Sequence, residues 1–102
     1  MSHLIELHLK CRVDPARRAD FMAFLREAVP FYESPGGISV RVLQEVHDEH
    51  RFIEVVEYRD EVVYQQDQVR VASDPIMKSY LERWRQLLTG TPVVEEYRHL
   101  SI

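Results

Sequence analysis

The sequence is short of cysteine, glycine, basic charge and long apolar runs, and each shortage excludes something. Cys11 is the single cysteine, so no disulfide closes within the chain. Gly36, Gly37 and Gly90 are the only glycines, too few and too scattered for a glycine-rich phosphate loop. No apolar stretch approaches the roughly 20 residues that span a bilayer, so no membrane segment is expected. The opening MSHLIELHLK lacks the basic segment and long apolar run of a secretory leader, and a cytoplasmic protein is the simplest expectation. The formal net charge of -4 argues against a nucleic-acid partner, whose phosphates require a basic face.

What is present is globular in character, 45% hydrophobic and 29% charged. The 102 residues suit one domain, residues 1–102. HLIELHLKC (3–11) alternates as a strand does. Asp14 and Pro15 then open a helix whose stripe is Phe21, Phe24, Leu25, Ala28 and Tyr32, and Pro30 is expected to kink or end it. SPGG (34–37) is a turn. ISVRVLQEV and RFIEVVEY read as a hairpin, and EVVYQQDQV as a short helix. Asp74 and Pro75 start a last helix striped by Met77, Tyr80, Leu81, Trp84, Leu87 and Leu88, which Gly90 stops. PVVEEYRHLSI is a final strand.

The order is β-α-β-β-α-β with one small extra helix. Right-handed crossovers turn this into an α+β, ferredoxin-like antiparallel sheet with helices on one face. Leu4, Leu43, Ile53, Val55, Val94 and Leu100 alternate with Ile5, Leu7, Val40, Phe52, Val56 and Val93, so both sheet faces are expected to be apolar. Helices cover one. The other is expected to press against the sheet of a second copy, making a homodimer.

The capped first helix, SPGGISVRVLQEV, the acidic hairpin HDEHRFIEVVEYRDE, ASDPIMKSYLERW and the acidic strand VVEEY together resemble the antibiotic biosynthesis monooxygenase family of dimeric α/β barrels. The resemblance covers nearly the whole chain. Members of that fold include quinol and anthrone oxygenases, haem-degrading enzymes, signal-molecule isomerases and proteins without known activity. It implies a cofactor-independent monooxygenase, using no metal or flavin, that acts on a small aromatic or quinol-like substrate between sheet and helices. The family's strand asparagine, strand-end tryptophan and following tyrosine fall on Glu54, Tyr58 and Tyr64, and only the last keeps its residue type. Haem degradation would need a histidine on the last long helix, and residues 75–89 have none.

By alternation Phe52, Glu54, Val56 and Tyr58 share a face, and the resemblance turns it toward the helices. A desolvated carboxyl there has a raised pKa and suits a base. Glu54, Tyr58 and Tyr64 are therefore the catalytic candidates, with Tyr58 and Tyr64 holding substrate oxygens. The plainer alternative is an edge or arginine-paired glutamate beside packing tyrosines. Phe24, Tyr32 and Trp84 are candidates for an apolar substrate wall or for core alone. His8, next to Glu6 on a central strand, is a candidate interface residue or a base acting on a keto compound. HDEH (47–50) reads as a solvated turn and no metal is expected. The alternative functions are a non-enzymatic dimeric ligand-binding or structural protein, or a keto-compound isomerase or decarboxylase.

Overall fold

The computed structural model describes residues 4–102; His3, at the start of the expected first strand, lies outside them. The chain runs β1 (Ile5–Arg12), a single 3-10 turn (Pro15–Arg17), α1 (Arg18–Glu33), β2 (Ile38–Gln44), β3 (Arg51–Tyr58), α2 (Glu61–Ser73), α3 (Pro75–Leu87) and β4 (Val93–Arg98). The strands lie in the order β2-β3-β1-β4 with every neighbouring pair antiparallel, which is the ferredoxin-like α+β arrangement.

Local chemistry sets the element boundaries. The Asp14 carboxylate accepts from Ala16 N at 2.8 Å and starts the 3-10 turn that leads into α1. Asp60 caps α2 by accepting from Val63 N at 2.8 Å. Asp74 ends α2 and begins α3. Its backbone N–H donates to Arg70 O, while its side chain accepts from Ile76 N and Met77 N. Pro75 disfavours helical backbone at the residue before it, and Asp74 is extended, so the two helices meet at a one-residue corner. α1 does not end at Pro30 but continues to Glu33. Pro30 is exposed, so the carbonyl that loses its N–H partner lies where water solvates it. Gly37 has φ +75°, and a Cβ there would meet Arg59 and Val63 at 3.3 Å, so the turn before β2 requires glycine.

The core lies between the sheet and the helices in two clusters. One joins Cys11, Val13, Phe52 and Trp84 to Phe21, Phe24, Leu25 and Ala28 of α1. The other joins Ile5, Leu7, Ile38, Val56 and Tyr58 to Val63 of α2. On β3, Glu54 stands between Phe52 of the first and Val56 of the second.

Two expectations about the sheet faces change. Val94 pairs across from Leu9 and Val93 from Lys10, so Val94 is on the helix side and Val93 on the open side, the reverse of the sequence reading. The alternation of β4 carries no phase signal because two valines are adjacent. The open face is also not uniformly apolar. Leu43, Ile53, Val55 and Val93 share it with an ion-pair set. Lys10 pairs with Glu95 at 2.8 Å and Arg41 with Glu57 at 3.0 Å, and the His8 ring is hydrogen-bonded to Glu6 at 2.6 Å.

Candidate functional site

A cavity of about 200 Å³ opens where the two core clusters part. Its inner wall is Leu7 and Leu9 of β1, Ile38 of β2, Glu54, Val56 and Tyr58 of β3, and Met77 and Trp84 of α3. Tyr32 of α1, Asp67, Gln68 and Val71 of α2, Leu81 and Arg85 of α3, and Val94 and Glu96 of β4 complete it; apart from Asp67 these are half-buried or exposed, and the mouth lies between α2, α3 and β4. Apart from Glu54, Asp67 and the hydroxyl and indole groups, the interior is hydrocarbon.

Glu54 is the group that distinguishes this cavity from ordinary core. It is 2% exposed, and among the described residues no lysine, arginine or histidine pairs with it. Burial pushes its pKa from the ordinary 4.5 up to about 7; the nearby Trp84 indole holds it back from rising further. That approach falls short of a hydrogen bond with proper length and angle, for Glu54 Oε2 and Trp84 Nε1 both remain without a partner. The Glu54 charge in turn adds to burial in raising the pKa of Tyr32. Cys11 is pushed up to about 12, first by burial and then by Glu54, which leaves it an inert thiol.

Beside Glu54 runs a fixed polar chain. The Tyr58 hydroxyl donates to Asp67 Oδ2 at 2.5 Å, and Asp67 Oδ1 accepts from Arg70 at 2.8 Å. Arg70 donates onward to the Phe31 and Tyr32 carbonyls in the last turn of α1, where a cation also meets the negative end of the helix dipole. Burial and the Asp67 hydrogen bond push the Tyr58 pKa up, so its phenol stays protonated. Its single proton is committed to Asp67, leaving only acceptor capacity toward the cavity.

Of the residues singled out in the sequence, Glu54, Tyr58, Tyr32 and Trp84 meet at this cavity. Tyr64 does not line it; its ring packs edge-on against Tyr58 with centroids 5.4 Å apart. Phe24 stands behind Trp84 in the first core cluster. His8 lies on the opposite face of the sheet, bonded to Glu6, so a base acting from His8 has no access to this cavity. The sequence reading passed over Asp67 and Arg70. Their signal was positional: Val63, Asp67 and Arg70 follow the i, i+4, i+7 spacing of an inward stripe, which places a carboxylate and its cation where apolar residues belong.

On the open face the carboxylates of Glu6 and Glu57 and the His99 ring bring ligand-type atoms within 4.8 Å of one another. Arg41 already pairs with Glu57 at 3.0 Å and approaches Glu6 at 3.8 Å, which makes this an ion-pair cluster rather than a cation seat. The histidines of HDEH lie in the hairpin connection, where Asp48 instead pairs with Arg12 at 3.3 Å.

The raised Glu54 pKa has a consequence for stability. Folded protein keeps that proton to about pH 7, whereas the unfolded chain releases it near 4.5. Between those values the folded state binds more protons, so stability falls as pH rises. The loss across that window is about 3 kcal/mol. In urea titrations Glu54→Gln is expected to flatten this slope and to exceed the wild type by about 2–3 kcal/mol at pH 8. Identical pH profiles for the two proteins would contradict the burial of an ionisable carboxyl.

Comparison with known proteins agrees with this fold. A family model described as antibiotic biosynthesis monooxygenase matches residues 4–66. A conserved Methanosarcina mazei protein superposes with TM-score 0.79 at 20% identity, covering 95% of this chain and 93% of that one. A Mycobacterium tuberculosis protein gives TM-score 0.75 at 16% identity over 97% of each chain. A variant of SnoaB, a cofactor-independent oxygenase from Streptomyces nogalater, gives TM-score 0.71 at 15% identity, covering 96% and 92%. At these identities the likeness is one of fold. A search by sequence found no match among curated proteins. No helix among the described residues is long and apolar enough to cross a membrane. The family match spans more than half of the chain, and the chain belongs to the antibiotic biosynthesis monooxygenase family.

Proposed function

We propose that this chain is a cofactor-independent monooxygenase for a small aromatic or quinol-like substrate, with Glu54 as the base. The observation that carries the reading is a buried carboxyl, close to neutral in pKa and free of any cation, at the floor of an apolar cavity. A cavity of about 200 Å³ lies below the usual range for ligand sites and suits one or two fused rings. Glu54 takes the phenolic proton. The resulting phenolate is electron-rich enough to reduce dioxygen itself, so the protein need only deprotonate, orient and shield it. For a ring methylene activated by the phenolate, oxygen adds at carbon to give a hydroperoxide. Loss of water then leaves a ketone: one CH₂ and one O₂ become one C=O and one H₂O, with both electron pairs drawn from the substrate.

Around this step the other side chains position and enclose. Trp84 and Tyr32 form walls, Tyr58 is locked by Asp67 and Arg70, and Tyr64 and Phe24 support these from behind. Oxygen uptake over a panel of one- and two-ring quinols and phenols with an activated ring methylene tests the reading. Wild type is expected to consume oxygen, Glu54→Gln to lose about 10²–10⁴-fold as general bases do, and Tyr64→Phe to change little. Binding of the panel without uptake in any protein would instead favour a ligand-binding role for the same cavity.

The open sheet face is proposed to pair with a second copy. Leu43 and Val93 are 48% and 55% exposed there beside Ile53. The neighbouring charges are already matched within the protomer, which lowers the cost of desolvating them. Sedimentation equilibrium is expected to give twice the chain mass for wild type and the single-chain mass for Ile53→Asp. A wild-type monomer at micromolar concentration would remove the pairing.

A further inference from the structure

We propose that Glu54 and Trp84 form a receptor for a single hydroxyl group, that of a phenol or enol of one or two rings, in which the Trp84 indole N–H donates to the oxygen that gives its proton to Glu54. The inference rests on the proposed oxygenase reading for the cavity but assigns Trp84 a role in touching the reacting atom, beyond that of a wall.

Among the described residues, two buried side-chain polar atoms lack a hydrogen-bond partner, Glu54 Oε2 and Trp84 Nε1. Such atoms are rare in folded proteins and costly to leave unpaired. Here both belong to side chains at most 5% exposed, and both side chains line one cavity, from β3 and from α3. Two orphans at one place point to a ligand group that satisfies both.

The chemistry of the pair narrows that group. An indole N–H only donates, and an ionised carboxylate only accepts. Above pH 7, where Glu54 is ionised, a carbonyl oxygen satisfies Trp84 and leaves Glu54 unpaired. An ammonium does the reverse. A carboxylate is repelled by Glu54. A hydroxyl satisfies both, with its proton toward Oε2 and a lone pair toward Nε1. The hydrocarbon walls require the rest of the ligand to be apolar, and the cavity volume limits it to one or two rings. The proton step balances: the substrate O–H bond breaks, the proton moves to Glu54 Oε2, and the electron pair stays on the oxygen, held by the indole N–H. Tyr58 cannot provide that donation because its O–H is given to Asp67.

The test uses para-nitrophenol and para-nitrotoluene, which share ring and nitro group and differ in having a hydroxyl or a methyl group of similar size. Neither carries a ring methylene for oxygen to add to, so binding is read apart from oxygen chemistry, by ligand absorbance and by quenching of Trp84, the one tryptophan of the chain. Wild type is expected to bind the phenol about tenfold or more tightly than the toluene. Replacing Trp84 by β-(3-benzothienyl)alanine keeps the ring volume and deletes the N–H. It is expected to weaken phenol binding about tenfold, read by absorbance, and to leave toluene binding unchanged. Equal wild-type affinity for phenol and toluene would overturn the receptor and leave the two atoms to an ordered water. So would an equal loss, or no loss, of both ligands in the benzothienyl protein. Selective phenol binding with no oxygen uptake from any quinol would sustain the receptor and sink the oxygenase, whereas uptake unaffected by the benzothienyl exchange would do the opposite.

Discussion

The burial of one carboxyl, that of Glu54, without a cation to balance it is the constraint on which the rest of this molecule turns. β3 would be a simple apolar ladder if the alternation of Phe52, Val56 and Tyr58 were unbroken. The glutamate interrupts it, the core divides into two clusters on either side, and a cavity stands at the division. A charge held in so dry a place carries a free-energy cost of several kcal/mol, and the protein meets it by keeping the proton on until near-neutral pH. Stability surrendered at one position in this way is characteristic of sites where reactivity is wanted.

The surroundings hold that carboxyl in a fixed frame. Tyr58, Asp67, Arg70 and the end of α1 form one hydrogen-bonded chain across three elements. Each member satisfies the next, so this buried polar network has no loose end, in contrast with Glu54 and Trp84 beside it. The one-residue corner at Asp74 sets α3 directly after α2, which brings Trp84 over the strand that carries Glu54. A rigid, fully paired shell around an unpaired pair is what preorganisation looks like at the level of side chains.

Much of the fold is legible in the amino-acid sequence. Aspartate–proline pairs at 14–15 and 74–75, the double glycine at 36–37 and the alternation in β1 and β3 each have one local meaning, and they agree with one another. The same alternation set Glu54 on one face with Phe52, Val56 and Tyr58, and the family resemblance turned that face inward. Three features did not follow. Adjacent valines in β4 gave no phase, so Val93 and Val94 were exchanged. Pro30 was tolerated because its neighbouring carbonyl faces solvent, a fact of tertiary position. The open face kept its charges because Glu6, Arg41, Glu57, Lys10 and Glu95 pair across strands, which no single strand pattern records. Within the site, Tyr58 was legible as an inward phenol but not as a committed donor, since its partner Asp67 lies nine residues on in a helix with a weak stripe.

Membership of the antibiotic biosynthesis monooxygenase family supplies the scaffold, and Glu54 is what this chain does with it. The most direct test is the ionisation of that one group, followed by carbon-13 NMR of protein labelled at the glutamate side-chain carboxyls and titrated from pH 3 to pH 9. The account predicts one carboxyl resonance, absent from the Glu54→Gln protein, with a midpoint near 7 against ordinary values near 4.5 for exposed neighbours. A spectrum in which every glutamate titrates below pH 5 would contradict it.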